Sequence, residues 1–434
     1  MLKIKKIITG CLLLSVSSLA SVSWAEVDSR LGDSLTPLGA EPFANSDKSI
    51  PAWSGQSDMA AVKQDKPLFT ITAANMEQYK DKLTEGQIAL FKRYPETFKM
   101  PVYPSRRTAV YPQRIYDNTK KATATAELLA DGKGFKGAYD AYPFPVPENG
   151  LEALWNHIVR YRGEYIERPT IEAVVERDGF ADYGVSTDKV LFNYNQPDGS
   201  EAELDNILFY YLSLNDDGSA ALVHETQDQV SEPRLAWGYL PGLRRVRRAP
   251  VLSYDTPIIA GLRTADDTDM YNGAPDFYNW ELKGKKEVFI PYNNQRLLEN
   301  APDYEELLTA GHINPEYTRY ELHRVWVVDG KLKDGARHIY GQRTLYLDED
   351  SWGAAVVDQY DNRGQLWKVS IAYLANYAAV PTTWTTWDVF HDLSSGRYHV
   401  QGIAQQESKK IAFDVDSPGK KQFTPASLRR MGRR

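Results

Sequence analysis

The chain has 434 residues, and its 51 basic and 58 acidic side chains give a formal net charge of -7. An acidic protein is a poor general binder of polyanions, so nucleic acid is excluded as an expected partner. The one cysteine, Cys11, cannot form a disulfide within the chain, and packing alone must hold the folded protein together.

The first 25 residues have the pattern of a secretory signal peptide. Residues 3–6 are rich in lysine, residues 7–16 form an apolar core, and Ser23-Trp24-Ala25 matches a cleavage site of small residues. We therefore expect cleavage after Ala25, a mature chain that begins at Glu26, and export to the periplasm. A membrane anchor would need about 20 apolar residues, and the box that resembles a lipoprotein signal at Cys11 comes before most of the apolar run.

Residues 26–148 are predicted to form an N-terminal arm and short helices that pack on the main domain. Proline, glycine and serine interrupt the first 30 of these residues, which favours an extended arm. Helices are predicted at residues 72–79, after the capping box Thr84-Glu85-Gly86-Gln87, and at residues 118–129. A proline-rich stretch at residues 143–147 then acts as a stiff linker.

Residues 149–422 are predicted to form the main domain. Asn149 begins a helix whose apolar residues recur at helical spacing through Val159. Beyond Gly163, short β-rich runs alternate with turn signals such as Asn215-Asp216-Asp217-Gly218, which is typical of an antiparallel meander. Strands are predicted at residues 204–214, 220–223, 320–328, 337–347, 354–360, 365–372, 383–389 and 397–403, with a turn at 329–330. A basic tail at residues 423–434 begins with a helix capped by Thr424.

The segment from Trp237 to Arg248, which reads WGYLPGLRRVRR, resembles a strand of proteins described as outer-membrane lipoprotein-sorting proteins. Residues 343–350 and 358–369 resemble a pair of hairpins in the same LolA/LolB-like superfamily. Nearly the whole mature length is also similar to a large periplasmic family of proteobacteria known as a domain of unknown function. This resemblance implies an α+β fold. A strongly curved antiparallel half-barrel would carry helices on one face and enclose an apolar cavity, which the better-known relatives use to carry acyl chains.

The candidate ligand-binding residues lie in that motif and on the later predicted strands. They are Trp237, Tyr239, Leu240, Arg245, Arg247, Trp326 and Trp367. Aromatic side chains with a polar tip suit the wall of a lipid pocket. Trp384 and Trp387 are three positions apart, so only one of them is expected to face inward.

Four arginines between positions 244 and 248, with Arg234 and Arg263 nearby, contrast most sharply with the acidic character of the chain. On a strand, Arg245 and Arg247 would share one face. The planar guanidinium pairs with phosphates and carboxylates, which would suit a lipid head at the mouth of a cavity. Ion pairs with the abundant acids are the alternative. The arginines of the tail have two similar interpretations: they contact an anionic membrane surface or partner, or they belong to a solvated terminus.

No catalytic residue, metal ligand or cofactor is predicted. The chain has no Gly-x-Ser-x-Gly nucleophile elbow, and its seven histidines lack the spacing of zinc ligands. The acid clusters Asp266-Asp267-Thr268-Asp269 and Asp348-Glu349-Asp350 could serve a hydrolase or a calcium site. Because each cluster falls where a turn is expected, we interpret both as solvated turns.

The expected function is that of a periplasmic carrier or receptor, which moves a lipid or another hydrophobic molecule between the inner and outer membranes. Its partners would be an inner-membrane transporter and an outer-membrane protein, and peripheral association with the outer membrane stays open. Two alternatives remain: a carboxylate-based hydrolase of envelope carbohydrate or lipid, and a structural envelope protein. A perturbed pair of carboxylates in a polar cleft would favour the hydrolase.

Overall fold

The computed structural model describes residues 26–249, 254–299, 302–404, 406–407, 410–413 and 417–431, so the predicted signal peptide lies outside the described residues. The α-helices are α1 (Met59–Gln64), α2 (Glu85–Arg93), α3 (Gln113–Ala122), α4 (Gly150–Val159), α5 (Arg296–Glu299), α6 (Tyr304–Leu307) and α7 (Pro425–Met431). Within these ranges, no helix combines the length and the apolar character that crossing a bilayer requires.

The strands in chain order are β1 (Phe69–Ile71), β2 (Met100–Val102), β3 (Glu127–Leu128), β4 (Phe135–Lys136), β5 (Tyr165–Val175), β6 (Ala181–Leu191), β7 (Ile207–Asn215), β8 (Ala220–Thr226), β9 (Leu235–Leu240), β10 (Arg245–Arg248), β11 (Pro257–Ile258), β12 (Arg263–Thr264), β13 (Tyr278–Pro291), β14 (Tyr320–Leu332), β15 (Gln342–Asp348), β16 (Ala354–Tyr360), β17 (Leu366–Tyr377), β18 (Thr382–Asp392), β19 (Tyr398–Ile403) and β20 (Ala412–Phe413).

Sixteen of these strands form one large sheet. Two antiparallel meanders, β14–β19 and β5–β10, lie side by side because β19 pairs with β5. The strands β1, β2 and β13 extend the sheet at β14, and β10 forms the opposite edge. Among the described residues no pairing joins the two ends, so the sheet is open.

The sheet is strongly curved. Side chains from seven consecutive strands, β18, β19 and β5–β9, line one cavity of about 250 Å³. Seven flat strands would span roughly 29 Å at about 4.8 Å per strand, so the sheet must curl to bring both ends to so small a space. A bulge at Gly402, where φ is 97°, adds to the bend. The predicted α+β class and the curved, open antiparallel sheet are confirmed.

Helix α2 packs on the convex face. As predicted, it begins with a capping box in which Thr84 accepts from the Gln87 backbone and Gln87 accepts from the Thr84 backbone. A Cβ atom at Gly86 would lie 2.2 Å from Asp358 Oδ1, so only glycine allows the helix to approach β16 this closely. The close packing of α2 on β16 therefore requires a glycine in the first turn of the helix.

Helix α4 also begins where the sequence predicts. The Asn149 side chain accepts a hydrogen bond from the Glu152 backbone, and the apolar side of the helix is buried against β13 and β14. Its buried residues include Leu154, Trp155 and Ile158.

A predicted helix is misplaced, a predicted turn is missing, and one strand of the structure was not predicted. The helix expected at residues 118–129 begins at Gln113, directly after Pro112, and Asn118 lies inside it. The turn expected at residues 329–330 does not exist: β14 continues, because Gly330 leaves room for the ring of Trp280, which a Cβ atom would approach to 2.5 Å. Strand β13 was not predicted, since its middle, residues 281–287, is rich in charged side chains and contains Gly284.

Residues 254–276 form a strap that crosses the concave face. Two buried acids of the strap meet Arg343 of β15: Asp266 Oδ2 accepts from Nη2 at 2.6 Å, and Asp267 Oδ1 accepts from Nη1 at 3.0 Å. The Lys368 ammonium donates to the backbone carbonyls of Gly261 and Leu262. The predicted solvated turn at residues 266–269 is wrong, because arginine partners compensate the burial of these carboxylates.

We expect Arg343→Met to lower the free energy of unfolding by about 3–5 kcal/mol, because it leaves two buried carboxylates without their cation. Urea unfolding measures the loss. The matched control is Arg363→Met: Arg363 pairs with Asp361 at 2.8 Å but its side chain is 77% exposed, so a loss below about 1 kcal/mol is expected. Equal losses in the two variants would contradict the anchoring role of Arg343.

Candidate functional site

The cavity between the concave face and the strap, called the inner cavity below, is the strongest candidate site. Its wall is mainly apolar and includes Val190, Phe192, Phe209, Tyr211, Val223 and Trp384. Trp384 faces this space, whereas Trp387 is buried in the main core, as the three-residue spacing predicts. The alternation of each strand therefore sends one set of side chains to the core and the other to the cavity.

Two arginines that follow α4 hold the strap at the cavity wall. Arg160 and Arg162 both donate to the carboxylate of Asp269, and the Trp384 indole donates to the same carboxylate at 3.2 Å. Arg162 also lies over the ring of Phe192, 4.6 Å from its centroid. Asp269 adopts a left-handed backbone with φ of 55°, a strained conformation that these contacts hold in place.

Arg168 and Arg263 line the same cavity but are less completely paired. Arg168 Nε lies 3.8 Å from Asp188, and Arg263 Nη2 lies 3.8 Å from Glu172, both beyond hydrogen-bond distance. The Nε atom of each arginine is buried without a hydrogen-bond partner. Two guanidinium groups in this state favour an anionic or hydrogen-bond-accepting guest, because buried donors are costly when left unpaired.

Asp388 is the one cavity carboxylate with an unpartnered buried oxygen, Oδ1, among the described residues. Burial raises its pKa to about 6, and the negative charge of Asp269 adds to the shift, while Arg168 and Arg263 oppose it. By contrast, Glu225 is engaged by Arg234 at 2.7 Å and by the Asn272 amide at 3.0 Å.

A second space, the outer groove, adjoins the inner cavity. Its volume is about 540 Å³, and its mainly apolar wall includes Leu298, Tyr377, Ile411 and Phe413. Arg168 lines both spaces, and one apolar cluster contributes side chains to each of them. A ligand with a polar head and an apolar chain could therefore occupy both.

None of the seven residues predicted to bind a ligand lines the inner cavity. Trp237 and Tyr239 point to the convex side, where Tyr239 is buried in a cluster with Phe423 and Leu428 of the tail. Leu240 is exposed at the end of β9. Because Arg245 pairs with Leu240 and Arg247 with Gly238 in register, these two arginines share a face, as predicted.

The two remaining tryptophans lie elsewhere. Trp326 stacks on Trp352 and lies under the Lys285 ammonium, while Trp367 packs against Tyr340 and Lys368. The structure thus distributes the seven residues over separate regions. Their role as ligand contacts stays a prediction.

The structure divides the arginines near β10 into two groups. Arg234 and Arg263 lie near acids, so the ion-pair interpretation holds for them. The four arginines between 244 and 248 are exposed, and their side chains form no ion pair or hydrogen bond with the described residues. For these four the ion-pair interpretation is wrong within the part of the chain that the structure describes, where no acid lies within ion-pair distance of them.

The cluster at Asp348-Glu349-Asp350 is buried, and the predicted solvated turn is wrong. Arg107 donates to both oxygens of Asp350, and His323 lies 3.3 Å from both Asp348 and Glu321. The ligand atoms of His323, Asp348 and Asp350 lie within 4.8 Å of one another, close enough to hold a metal ion. However, burial of His323 is outweighed by Asp348 and Glu321, which raise its pKa to about 9, so the imidazole is a cation in an ion-pair network.

Sequence reasoning missed the cavity residues because they are far apart along the chain. One local signal was present: Arg168, Thr170 and Glu172 alternate with apolar neighbours on β5, which places polar groups on the face opposite the core. Such a pattern on a central strand indicates a polar interior rather than a solvent face.

Comparison with known proteins agrees with the resemblance found in the sequence. The profile of a family described as proteins of unknown function, DUF1329, matches residues 70–429. This chain belongs to the DUF1329 family. A relative in Pseudomonas aeruginosa, described as uncharacterised, is 46% identical over 446 residues, which cover 98% of each chain.

Among solved structures, a domain of an outer membrane lipoprotein-sorting protein from Vibrio parahaemolyticus is 15% identical, with a TM-score of 0.45 over 64% of this chain and 98% of that one. A DUF1329 family protein from Desulfovibrio piger is 15% identical, with a TM-score of 0.43 over 62% and 92%. A LolA superfamily protein from Nitrosomonas europaea is 14% identical, with a TM-score of 0.37 over 64% and 98%.

We expect Asp388→Asn to change the pH dependence of stability. The folded pKa of about 6 exceeds the ordinary value of 3.8, so the stability contributed by Asp388 is complete below about pH 4 and is lost as the pH rises through 6. The variant should therefore be more stable than the parent by about 3 kcal/mol at pH 8 and about equal at pH 4. Urea unfolding at both pH values measures this, with the exposed Asp182→Asn as control. A constant difference at all pH values would contradict the assignment.

Proposed function

We propose that this protein binds a hydrophobic molecule with an anionic head in the inner cavity and carries it through the periplasm. The observation that carries the proposal is the mainly apolar inner cavity, into which two incompletely paired guanidinium groups are built. Ligand sites in proteins are commonly of this kind, with an apolar wall and a few polar anchors.

The volumes favour a ligand with one apolar chain. At about 30 Å³ per water molecule, the inner cavity has room for about eight water-sized groups, and the outer groove for about eighteen. A diacyl lipid is too large for the inner cavity alone. A head of a few atoms beside Arg168 and Arg263, with its chain along Tyr377 and Phe413, fits both spaces.

Burial of the chain would supply the affinity. Eight methylene groups are worth about 6 kcal/mol at about 0.8 kcal/mol each, before the cost of immobilising the ligand is subtracted. That amount corresponds to binding between millimolar and micromolar, which suits a carrier that must release its ligand again. The anionic head would add specificity through charge-assisted hydrogen bonds.

The predicted signal peptide supports a place in the periplasm. In that compartment the carrier would receive its ligand from an inner-membrane transporter and deliver it to an outer-membrane protein. Both partners are part of the proposal, because a hydrophobic molecule that moves from the inner to the outer membrane must cross the aqueous periplasm.

One observation favours the hydrolase as a second candidate. Asp388 and Asp269 are two carboxylates at one cavity whose pKa values are displaced in opposite directions, upward by burial for Asp388 and downward by two arginines for Asp269. Both oxygens of Asp269, however, already accept hydrogen bonds from Arg160, Arg162 and Trp384. It has little capacity left to activate a water molecule, so we favour the carrier.

The test is calorimetric titration with dodecanoate and with dodecanol, which share a chain and differ in the charge of the head. We expect the parent protein to bind dodecanoate more tightly. The double variant Arg168→Met/Arg263→Met should weaken dodecanoate binding by about 100-fold or more, because it removes two charge-assisted hydrogen bonds that are each worth about 1.5–3 kcal/mol. Its affinity for dodecanol should change less than about threefold.

The control is Arg177→Met, an exposed arginine in the turn between β5 and β6. It should leave both affinities unchanged, and urea unfolding confirms that each variant is folded. If neither compound binds the parent protein, the carrier proposal is wrong. If both bind and the double variant weakens them equally, the two arginines do not recognise the head. Hydrolysis of a dodecanoyl ester, abolished by Asp388→Asn, would favour the enzyme.

A further inference from the structure

The two basic runs of the sequence meet at the edge of the sheet that β10 forms. Val246 faces α7, so Arg245 and Arg247 on either side of it lie on the opposite face of β10, and the arginines flank the edge on both sides. Helix α7, which carries Arg429 and Arg430, packs against β8, β9 and β10. Val246 of β10 and Met431 of α7 belong to the same apolar cluster, so the strand and the helix pack on the same buried residues. We call the resulting surface the arginine patch. It consists of Leu240, Leu243, Arg244, Arg245, Arg247, Arg248, Arg429 and Arg430.

The arginine patch has no counter-charge of its own. None of its six arginines forms an ion pair with the described residues, although the chain has an excess of acids. Within the described ranges, one side-chain hydrogen bond occurs in the patch, from Arg430 to the Ser427 hydroxyl. The turn at Asp216 and Asp217 approaches Pro241, yet it pairs with no arginine there. The positive charge is therefore available to a partner.

The patch is also apolar at its tip. Leu240, the last residue of β9, and Leu243, the last residue of the tight turn that follows it, are 51% and 50% exposed. Arginines on an edge strand are a known protection against edge-to-edge pairing of sheets. That role explains neither the exposed leucines nor the arginines of α7.

We propose that the arginine patch docks the protein on an anionic lipid bilayer. The two leucines enter the boundary between headgroups and acyl chains, and the six arginines lie at the level of the lipid phosphates. A bilayer fits because it offers a flat array of negative charge above an apolar layer, which matches the order of side chains in the patch. The guanidinium group pairs with phosphate through two parallel hydrogen bonds.

The position of the patch suits transfer at the membrane. Ala236 lines the inner cavity, and Gly238 and Leu240 lie on the same face of β9. Their cross-strand partners on β10 are Arg247 and Arg245, so these arginines share that face. The face of the patch that carries Leu240, Arg245 and Arg247 is thus continuous with the wall of the cavity, whereas Arg429 and Arg430 flank the same sheet edge on the convex side. Docking does not require a ligand in the cavity, so it stands independently of the proposed function.

The experiment is sedimentation of the mature protein with vesicles of phosphatidylcholine alone or mixed with phosphatidylglycerol. We expect binding to the mixed vesicles at low salt, little binding to phosphatidylcholine, and weaker binding at 0.15 M salt, where screening is stronger. Replacement of the four arginines of β10 and its turn, Arg244→Ser, Arg245→Ser, Arg247→Ser and Arg248→Ser, should lower the partition coefficient by about 100-fold or more.

A charge-matched variant controls for net charge. It replaces four exposed lysines elsewhere, Lys66→Ser, Lys92→Ser, Lys121→Ser and Lys331→Ser, and should lose less than about threefold. Leu240→Ser/Leu243→Ser should lower binding about tenfold at every salt concentration, since its contribution is apolar. Thermal unfolding of each variant checks that it is folded.

Three outcomes would overturn the proposal. The first is no binding of the parent protein to mixed vesicles at low salt, which would turn attention to an acidic protein as partner. The second is an equal loss in the arginine variant and the lysine variant. The third is full binding by the arginine variant.

Discussion

The buried pairing of Arg343 with Asp266 and Asp267 is the contact on which the inner cavity depends. The strap that closes the cavity has only two strands of two residues each, so its own backbone pairing cannot hold it on the sheet. Burial of three charged groups is costly, and it is compensated here by two direct ion pairs and by hydrogen bonds from His338 and Tyr340. A chain without disulfides thereby holds the strap on the sheet through buried ion pairs.

Arginine has two different roles in this molecule. Inside, Arg343, Arg160 and Arg162 meet acids of the strap and hold it on the concave face. Outside, the arginines of β10 form no ion pair with the residues that the structure describes. The same residue type thus holds the strap in one place and leaves charge available to a partner in the other, and only the structure distinguishes the two.

The sequence predicted the elements whose signals are local. The capping box at Thr84, the helix after Asn149 and most hairpins of the sheet were confirmed, because caps and turns act within a few residues. The opposite orientations of Trp384 and Trp387 also followed from strand geometry.

Non-local contacts account for what the sequence did not predict. The acids at 266–269 and 348–350 look like solvated turns until Arg343 and Arg107 are placed beside them. Strand β13 is too polar to be recognised, although it gains its place by pairing with the whole length of β14. The cavity joins strands that are far apart in the chain, so no single stretch of sequence contains its pattern.

Arg168 forms part of the wall of both the inner cavity and the outer groove. A guest in either of the two spaces would therefore contact the same guanidinium group. If the proposed ligand occupies both spaces, this shared guanidinium would couple the free energies of binding in the two. Loading and release of a two-part ligand would follow an order set by the position of one arginine.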